Sequence, residues 1–214
     1  MVPAYTKTGF AKFPQPPEVK KLLSEFYQQH KQNRVIEPWH RVDTAINFES
    51  VHTGMVFLPD NIRHRVAEIM APIMEQWAGR KLTFTALYGI REYYRGSILK
   101  KHVDRLETHV ISVILNVYQE VDEPWELEVM DFNGNLQNIP QEAGEMVFYE
   151  SAKLLHGRPL PLKGNVYANC FLHYMPAEGW VGQYAHSGNG FIRAVDQVNF
   201  FYYFFIVLCI FKFF

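Results

Sequence analysis

The sequence is poor in cysteine and in net charge, and its N-terminus lacks the apolar core of a secretory signal. Only Cys170 and Cys209 are present, which excludes a disulfide framework and a thiolate zinc cluster and fits a reducing compartment. The formal net charge of −1 provides no overall field that attracts nucleic acid or an acidic membrane. We therefore expect a cytoplasmic protein that binds no nucleic acid.

Long apolar runs are missing except at the C-terminus. Residues 198–214 form a run of 17 residues whose only clearly polar members are Asn199 and Lys212. This run is close to the lower limit of the length that crosses a bilayer. Two interpretations stay open. The run is a tail anchor, which would give a tail-anchored membrane protein, or it is not part of a functional gene product, because its composition breaks sharply from the preceding sequence.

The chain contains no internal repeat and no Gly-, Ser- or Pro-rich linker. Two helices are predicted near the N-terminus. The first follows Pro16 and Pro17, and the second runs from about Asp60 to Trp77 with apolar residues at helical spacing. After Gly79 the segments are short, β-branched and aromatic, and turn residues separate them.

No helix-length spacer separates these segments, so a parallel sheet with crossover helices is not expected. The pattern predicts a mainly β protein with N-terminal helices, built as an antiparallel barrel or double-sheet jelly roll. We divide the chain into a helical support segment (1–80), a β core (81–178), a C-terminal extension (179–196) and the apolar tail (197–214).

The stretch REYYRGSILKKHVDR contains a His-x-Asp pair, His102 and Asp104. Residues two apart on a strand point to the same face, so both side chains could bind one metal ion. With nine histidines and 22 acidic residues among 214, about one His-x-acid pair is expected by chance, so the pair alone is weak.

A third ligand strengthens the hypothesis of a metal site. His156 follows the predicted strand EMVFYE, and two histidines with one carboxylate form the ligand set of oxygen-activating Fe(II) enzymes. Zinc suits this set less well. His109 and His173 lie at strand ends, where a structural role is the more frequent one.

Several of these residues form a sequence pattern that resembles that of Fe(II)- and 2-oxoglutarate-dependent oxygenases of the prolyl 4-hydroxylase type. The pattern covers roughly residues 82–176 and consists of Arg91-x-Tyr93-x-x-Gly96-x-x-Leu99-x-x-His102-x-Asp104, then Gly144-Glu145-Met146, then His156-Gly157. The resemblance implies a double-stranded β-helix core in which His102, Asp104 and His156 bind Fe(II). It also implies 2-oxoglutarate and O2 as cosubstrates, with ascorbate as a further reductant, and succinate and carbon dioxide as coproducts.

The resemblance further implies a buried cation and a hydroxyl for the distal carboxylate of 2-oxoglutarate. Tyr93 matches the family tyrosine. The family cation would fall at Asn165 or Val166, so this sequence departs from the pattern. We favour Arg158 as the replacement, because strand alternation would point it into the same cavity as His156. Lys163 is the second candidate and Arg91 the third.

The substrate is predicted only by family analogy, as a prolyl or other side chain of a peptide or protein, or a small molecule. Tyr94, Arg105 and Trp125 are candidates for the entrance of the site. Two alternatives remain: a non-catalytic metal-binding barrel that has lost 2-oxoglutarate binding, and a cupin-like site that uses His109 or His173. A membrane is a partner only if the apolar tail is a genuine anchor.

Overall fold

The structure is a computed structural model that describes residues 2–37 and 51–180. Two α-helices, α1 (Pro17–His30) and α2 (Asp60–Ala78), precede most of the sheet. The strands in chain order are β1 (Phe10–Pro14), β2 (Val35–Ile36), β3 (Thr53–Phe57), β4 (Leu82–Ala86), β5 (Gly89–Tyr94), β6 (Leu99–His102), β7 (Ile111–Val121), β8 (Leu127–Met130), β9 (Leu136–Ile139), β10 (Glu145–Tyr149), β11 (His156–Arg158) and β12 (Gly164–Pro176).

Both predicted helices are confirmed. Helix α1 begins at Pro17 with Glu18 in its first turn, where a negative charge favours the helix dipole. Helix α2 continues through Pro72 and ends at Gly79, which adopts a left-handed conformation with φ of 65°. Their buried faces belong to one apolar core, which includes Val19, Leu23, Val66, Met70 and Met74.

The large antiparallel sheet has the strand order β1-β10-β7-β12-β5-β3-β2, and β4 pairs with the far end of β12. Alternate residues of its strands point to opposite faces. One face packs in the same core as the helices and includes Val113, Leu115, Cys170 and Leu172. The other face carries residues of opposite parity, such as Ile114, and packs with residues of the second sheet.

The small antiparallel sheet has the order β6-β11-β8-β9. Its strand β11 lies between β6 and β8, and His156 pairs with His102 across the β6–β11 ladder. Gly157 allows this close approach, because a Cβ atom there would lie 2.7 Å from the carbonyl oxygen of Leu99. The missing side chain therefore lets the two histidine-bearing strands lie side by side.

The prediction of a mainly β protein with N-terminal helices is confirmed. The three strands before residue 80 were not predicted: β1 pairs with β10, and β3 pairs with β5 and β2. The boundaries between the four segments stay predictions. The apolar tail lies outside the described residues. Within residues 2–37 and 51–180, neither helix is long and apolar enough to cross a membrane.

Candidate metal centre

The structure brings together the three residues that the sequence predicted as metal ligands. His102 ends β6, Asp104 follows it two residues later, and His156 begins β11. The Oδ1 atom of Asp104 lies 3.4 Å from Nε2 of His102 and 3.8 Å from Nε2 of His156. One potential ligand atom from each residue lies within 4.8 Å of the other two, so these atoms could hold one metal ion.

Backbone carbonyl groups set the tautomer of both imidazoles. Nδ1 of His102 lies 2.8 Å from the carbonyl oxygen of Lys100, and Nδ1 of His156 lies 2.8 Å from that of Leu154. A carbonyl oxygen only accepts, so each Nδ1 carries the hydrogen and each Nε2 keeps its lone pair. This arrangement orients both Nε2 atoms as metal ligands, and it is the support that metal-binding histidines usually have.

The protonation states of Asp104 and His156 also favour the binding of a metal cation. Burial, together with the neighbouring His102, lowers the pKa of His156 to about 4, so this imidazole is neutral at pH 7. Burial alone would raise the pKa of Asp104, but the neighbouring imidazoles of His102 and His156 lower it well below its usual value. The buried Oδ2 atom of Asp104 has no hydrogen-bond partner among the described residues. Burial opposes protonation of His102, but the neighbouring Asp104 raises its pKa above the usual value. The triad therefore offers a carboxylate and two imidazole nitrogen atoms, of which that of His156 is neutral at pH 7.

Arg158 lies two residues after His156 and is only 2% exposed. Its Nη1 donates to the carbonyl oxygen of Trp125, and its Nη2 lies 3.3 Å from Oε1 of Gln141. The guanidinium also lies 5.1 Å from the ring centre of Trp125 and 4.7 Å from that of Tyr167. No carboxylate of the described residues forms an ion pair with it. The site thus contains a buried cation whose partners are all neutral.

Two tyrosines and one tryptophan surround this cation. Trp125 contacts the rings of Tyr93 and Tyr167 at centroid distances of 5.1 and 5.3 Å. Burial raises the pKa of Tyr93, and the neighbouring cations Arg91 and Arg158 oppose that rise. Both tyrosines are at most 2% exposed and therefore present neutral hydroxyl groups in a region shielded from water.

Arg91, the third candidate cation, is already neutralised. Its Nε and Nη2 atoms donate to the two carboxylate oxygens of Glu37 at 2.7 and 2.9 Å. The hydroxyl of Tyr93 is hydrogen bonded to Arg91 as well. Lys163 is mostly exposed and lies 3.0 Å from Glu123 at the surface. Of the three cations considered, Arg158 alone is both buried and without a carboxylate partner in the described residues.

The three residues predicted at the entrance occupy different places. Trp125 is only 4% exposed and lies beside Arg158 rather than at an entrance. Tyr94 donates its hydroxyl hydrogen to Glu92, which also bonds Tyr27 of helix α1, so strand alternation directs it away from Tyr93. Arg105 is exposed next to Asp104. The structure does not bring Tyr94 to the triad.

A second polar group lies beside the triad, and the sequence pointed to it only through His109 and His173 of the cupin-like alternative. His173 of β12 lies with its Nδ1 3.9 Å from Oδ2 of Asp104, and its ring stacks on His109 at a centroid distance of 3.7 Å. Ser112 and Ser151 complete this group through hydrogen bonds. Pairing of β12 with β7 places His173 opposite Ser112, a contact between residues 61 positions apart that no local motif reveals.

Comparison with solved structures finds the same fold in several oxygenases. A prolyl 4-hydroxylase from Pseudomonas putida is 12% identical, with a TM-score of 0.59 over 79% of this chain and 94% of that chain. A prolyl hydroxylase from Trichoplax adhaerens, in complex with a hypoxia-inducible factor peptide, is 11% identical, with a TM-score of 0.59 over 85% of this chain and 88% of that chain.

A third similar structure, HygX from Streptomyces hygroscopicus, contains nickel and 2-oxoglutarate. It is 13% identical, with a TM-score of 0.56 over 80% of this chain and 84% of that chain. No family model matches the sequence, and no curated protein matches it significantly. The resemblance predicted from the sequence is thus confirmed at the level of structure: this chain has the fold of Fe(II)- and 2-oxoglutarate-dependent oxygenases.

Proposed function

We propose that the protein is an Fe(II)- and 2-oxoglutarate-dependent oxygenase. One observation carries the proposal. A buried arginine without a carboxylate partner lies two residues from a His–Asp–His triad whose ligand atoms converge. A metal triad needs no such cation. A cosubstrate that binds the metal at one end and carries a carboxylate at the other does need one.

The triad fits Fe(II) because it offers two nitrogen donors and one carboxylate and leaves other positions of the metal open. His102 and His156 would bind through Nε2, and Asp104 through Oδ1. When bound, Fe(II) with 2-oxoglutarate and O2 supplies the oxidation of a substrate C–H bond to an alcohol, with succinate and carbon dioxide as coproducts. The backbone carbonyls that hold both Nδ1 atoms keep the imidazoles in the binding orientation.

Arg158 would hold the distal carboxylate of 2-oxoglutarate. Its planar guanidinium can donate two parallel hydrogen bonds to a carboxylate. Tyr93 and Tyr167 belong to the same buried group, in which the hydroxyl of Tyr167 donates to the carbonyl oxygen of Gln141, and Trp125 covers the guanidinium. In this assignment Trp125 shields the cosubstrate from water instead of lining an entrance, and Lys163 has no part in binding.

A prolyl or other peptide side chain is our proposal for the substrate. Its support is the shared fold with prolyl hydroxylases, including one in complex with a peptide. Arg105, exposed next to Asp104, is the residue that we assign to the substrate at the rim. We also infer that the two sheets are the two walls of a double-stranded β-helix, with the triad on the small sheet.

The alternative of a non-catalytic barrel was motivated by the lack of a cation at Asn165 and Val166. Arg158 removes that motive, because it supplies a buried positive charge from another strand. The cupin-like alternative needs His109 or His173 as a metal ligand. In the described residues the group of converging ligand atoms contains only His102, Asp104 and His156.

The test is succinate formation. The purified protein is loaded anaerobically with Fe(II), then 2-oxoglutarate, O2 and a library of proline-containing peptides are added. We expect succinate in stoichiometric relation to hydroxylated peptide, and slower uncoupled succinate formation without peptide. Complete absence of succinate under both conditions, from protein that has bound iron, would contradict the proposal.

A further inference from the structure

A buried glutamine, Gln141, contacts Arg158 through its side-chain oxygen. It lies between β9 and β10 and is only 4% exposed. Its Nε2 donates to the carbonyl oxygens of Ile114 on β7 and Glu145 on β10, at 3.0 and 3.1 Å. Carbonyl oxygens only accept, so both amide hydrogens are used there and the amide cannot be turned over. The atom that faces Nη2 of Arg158 at 3.3 Å is therefore the acceptor Oε1.

Gln141 attaches Arg158 to the large sheet. Besides its side-chain bonds to β7 and β10, its carbonyl oxygen accepts from Nδ2 of Asn116 on β7 and from the hydroxyl of Tyr167 on β12. The other hydrogen bond of Arg158 goes to the carbonyl oxygen of Trp125, which precedes β8 of the small sheet. The guanidinium is thus held between the two sheets, and Gln141 supplies the support from the large one.

The residue type at position 141 decides whether Arg158 keeps an unbalanced charge. A glutamate has nearly the same size as glutamine, but its carboxylate would lie within hydrogen-bonding distance of the guanidinium and would neutralise it. It would also face the carbonyl oxygens of Ile114 and Glu145 without a hydrogen to donate. The amide of Gln141 instead accepts a hydrogen bond and leaves Arg158 positively charged. It orients the cation without balancing its charge.

We propose that Gln141 is a positioning residue that sets the specificity of the Arg158 pocket. It fixes the direction of the guanidinium and keeps its charge available, so that the pocket selects a 2-oxo acid with a second, distal carboxylate over one that ends in a methyl group. This inference rests on the proposed function, in which Arg158 binds the distal carboxylate of 2-oxoglutarate. Gln141 itself acts through Arg158.

A second glutamine, Gln15, provides a matched comparison. It is 5% exposed, and its Nε2 donates to the carbonyl oxygens of Asn116 and Glu145 at 2.8 and 2.9 Å. Its Oε1 has no hydrogen-bond partner in the part of the chain that the structure describes, and no hydrogen bond there joins Gln15 to Arg158. Substitution of either glutamine removes two bonds to main-chain carbonyls, but only substitution of Gln141 removes a contact with Arg158.

The specificity is measured with two 2-oxo acids, 2-oxoglutarate and 2-oxopentanoate. Both can chelate a metal through the same keto acid end, and only the first carries a distal carboxylate. Calorimetric titration of each into the full chain loaded with Mn(II) gives the ratio of their dissociation constants. General damage to the fold weakens both ligands alike and leaves this ratio unchanged. For the natural protein we expect a preference for 2-oxoglutarate of about 100-fold, from two charge-assisted hydrogen bonds.

Two substitutions of Gln141 change the charge and the orientation separately. Gln141→Glu should reduce the preference to less than about fivefold, because the new carboxylate neutralises Arg158. Gln141→Met should reduce it by about fivefold, the value of one hydrogen bond, because the guanidinium loses one of its supports. Gln15→Met should keep the preference within about twofold of the natural protein. If Gln141→Glu does not fold, the pair Gln141→Met and Gln15→Met decides the question.

The outcomes separate this inference from the proposed function. If the natural protein prefers 2-oxoglutarate but the Gln141 variants keep that preference, the inference is overturned and the proposed function stands. An equal loss of preference in Gln15→Met and Gln141→Met would also overturn it, since the effect would then come from packing. If the natural protein binds both acids equally, the role of Arg158 in the proposed function fails, and this inference fails with it.

Discussion

Two arginines of this protein, Arg91 and Arg158, differ in whether a carboxylate balances their positive charge. Arg91 on β5 binds both carboxylate oxygens of Glu37, and about a quarter of its side chain is exposed. Arg158 on β11 is only 2% exposed, yet its partners are a backbone carbonyl, an amide oxygen and two aromatic rings. The more deeply buried cation is the one without a counter-ion among the described residues.

This difference separates a structural charge from a binding charge. Removing an ion from water is costly, and a carboxylate placed beside it offsets much of that cost, as Glu37 does for Arg91. Nothing comparable offsets the cost for Arg158. Its unfavourable burial is understandable if an anionic ligand completes the pair, since the ligand then binds to a cation that water does not screen.

The largest expected effect is that of His156→Ala. This change removes one of two neutral nitrogen ligands, so we expect the metal dissociation constant to rise by more than roughly 100-fold. Equilibrium dialysis with Fe(II) under anaerobic conditions measures it, and His64→Ala, at a histidine on helix α2, is the control. The same variant also tests Arg158, because without the metal this arginine alone should bind 2-oxoglutarate only weakly. An unchanged iron affinity would refute the ligand assignment.

The next largest effect is expected for Arg158→Met. It keeps much of the side-chain volume and removes the two charge-assisted hydrogen bonds to the cosubstrate, so the dissociation constant of 2-oxoglutarate should rise about 100-fold. Metal affinity should stay within about threefold, because the triad is unchanged. Calorimetric titration of the Mn(II)-loaded protein measures both. If 2-oxoglutarate binds the variant as tightly as before, the distal carboxylate is held elsewhere.

Glu37→Gln converts Arg91 into a cation without its carboxylate partner. We expect the free energy of unfolding to fall by about 1–2 kcal/mol, which is below the usual loss for a buried pair because both side chains are partly exposed. Urea unfolding followed by circular dichroism measures this change. No loss of stability would show that the pair contributes little, and the contrast between the two arginines would then need another explanation.

The smallest effect is expected for Lys163→Met. This lysine is mostly exposed and paired with Glu123, so its removal should change the affinity for 2-oxoglutarate by less than about twofold. The same calorimetric titration applies, with Arg158→Met measured alongside. A large loss of affinity would make Lys163 the cation of the site, in spite of its position at the surface.

The metal triad could be predicted from the sequence because a His-x-Asp pair, weak by itself, is followed by a histidine after a later strand and belongs to a pattern that resembles the prolyl 4-hydroxylase type. His102 and Asp104 are two positions apart on one strand, and His156 follows a strand ending in a recognisable turn. Strand alternation also predicted that Arg158 lies in the same buried region as His156, although the register shifts between these two residues in the β6–β11 ladder. Tyr93 was predicted through the resemblance, because it matches the family tyrosine that precedes the first metal ligand.

Other parts depend on contacts that no local pattern shows. The group of His173, Ser112 and Ser151 is assembled by the pairing of β12 with β7 and by the loop after β10. Tyr94 was predicted at the entrance, yet it follows Tyr93 directly and so points to the opposite face of the strand. Trp125 was predicted there too, but its position beside Arg158 is set by the packing of the two sheets.

The most direct test of a cosubstrate site between the metal triad and Arg158 is titration of 2-oxoglutarate into the Mn(II)-loaded protein. We expect one molecule to bind per chain and to require the metal. Binding should be about 100-fold weaker in Arg158→Met and only weak in His156→Ala, while Lys163→Met binds normally. Absence of binding to the metal-loaded natural protein, or binding that is equally tight without the metal, would contradict the presence of this site.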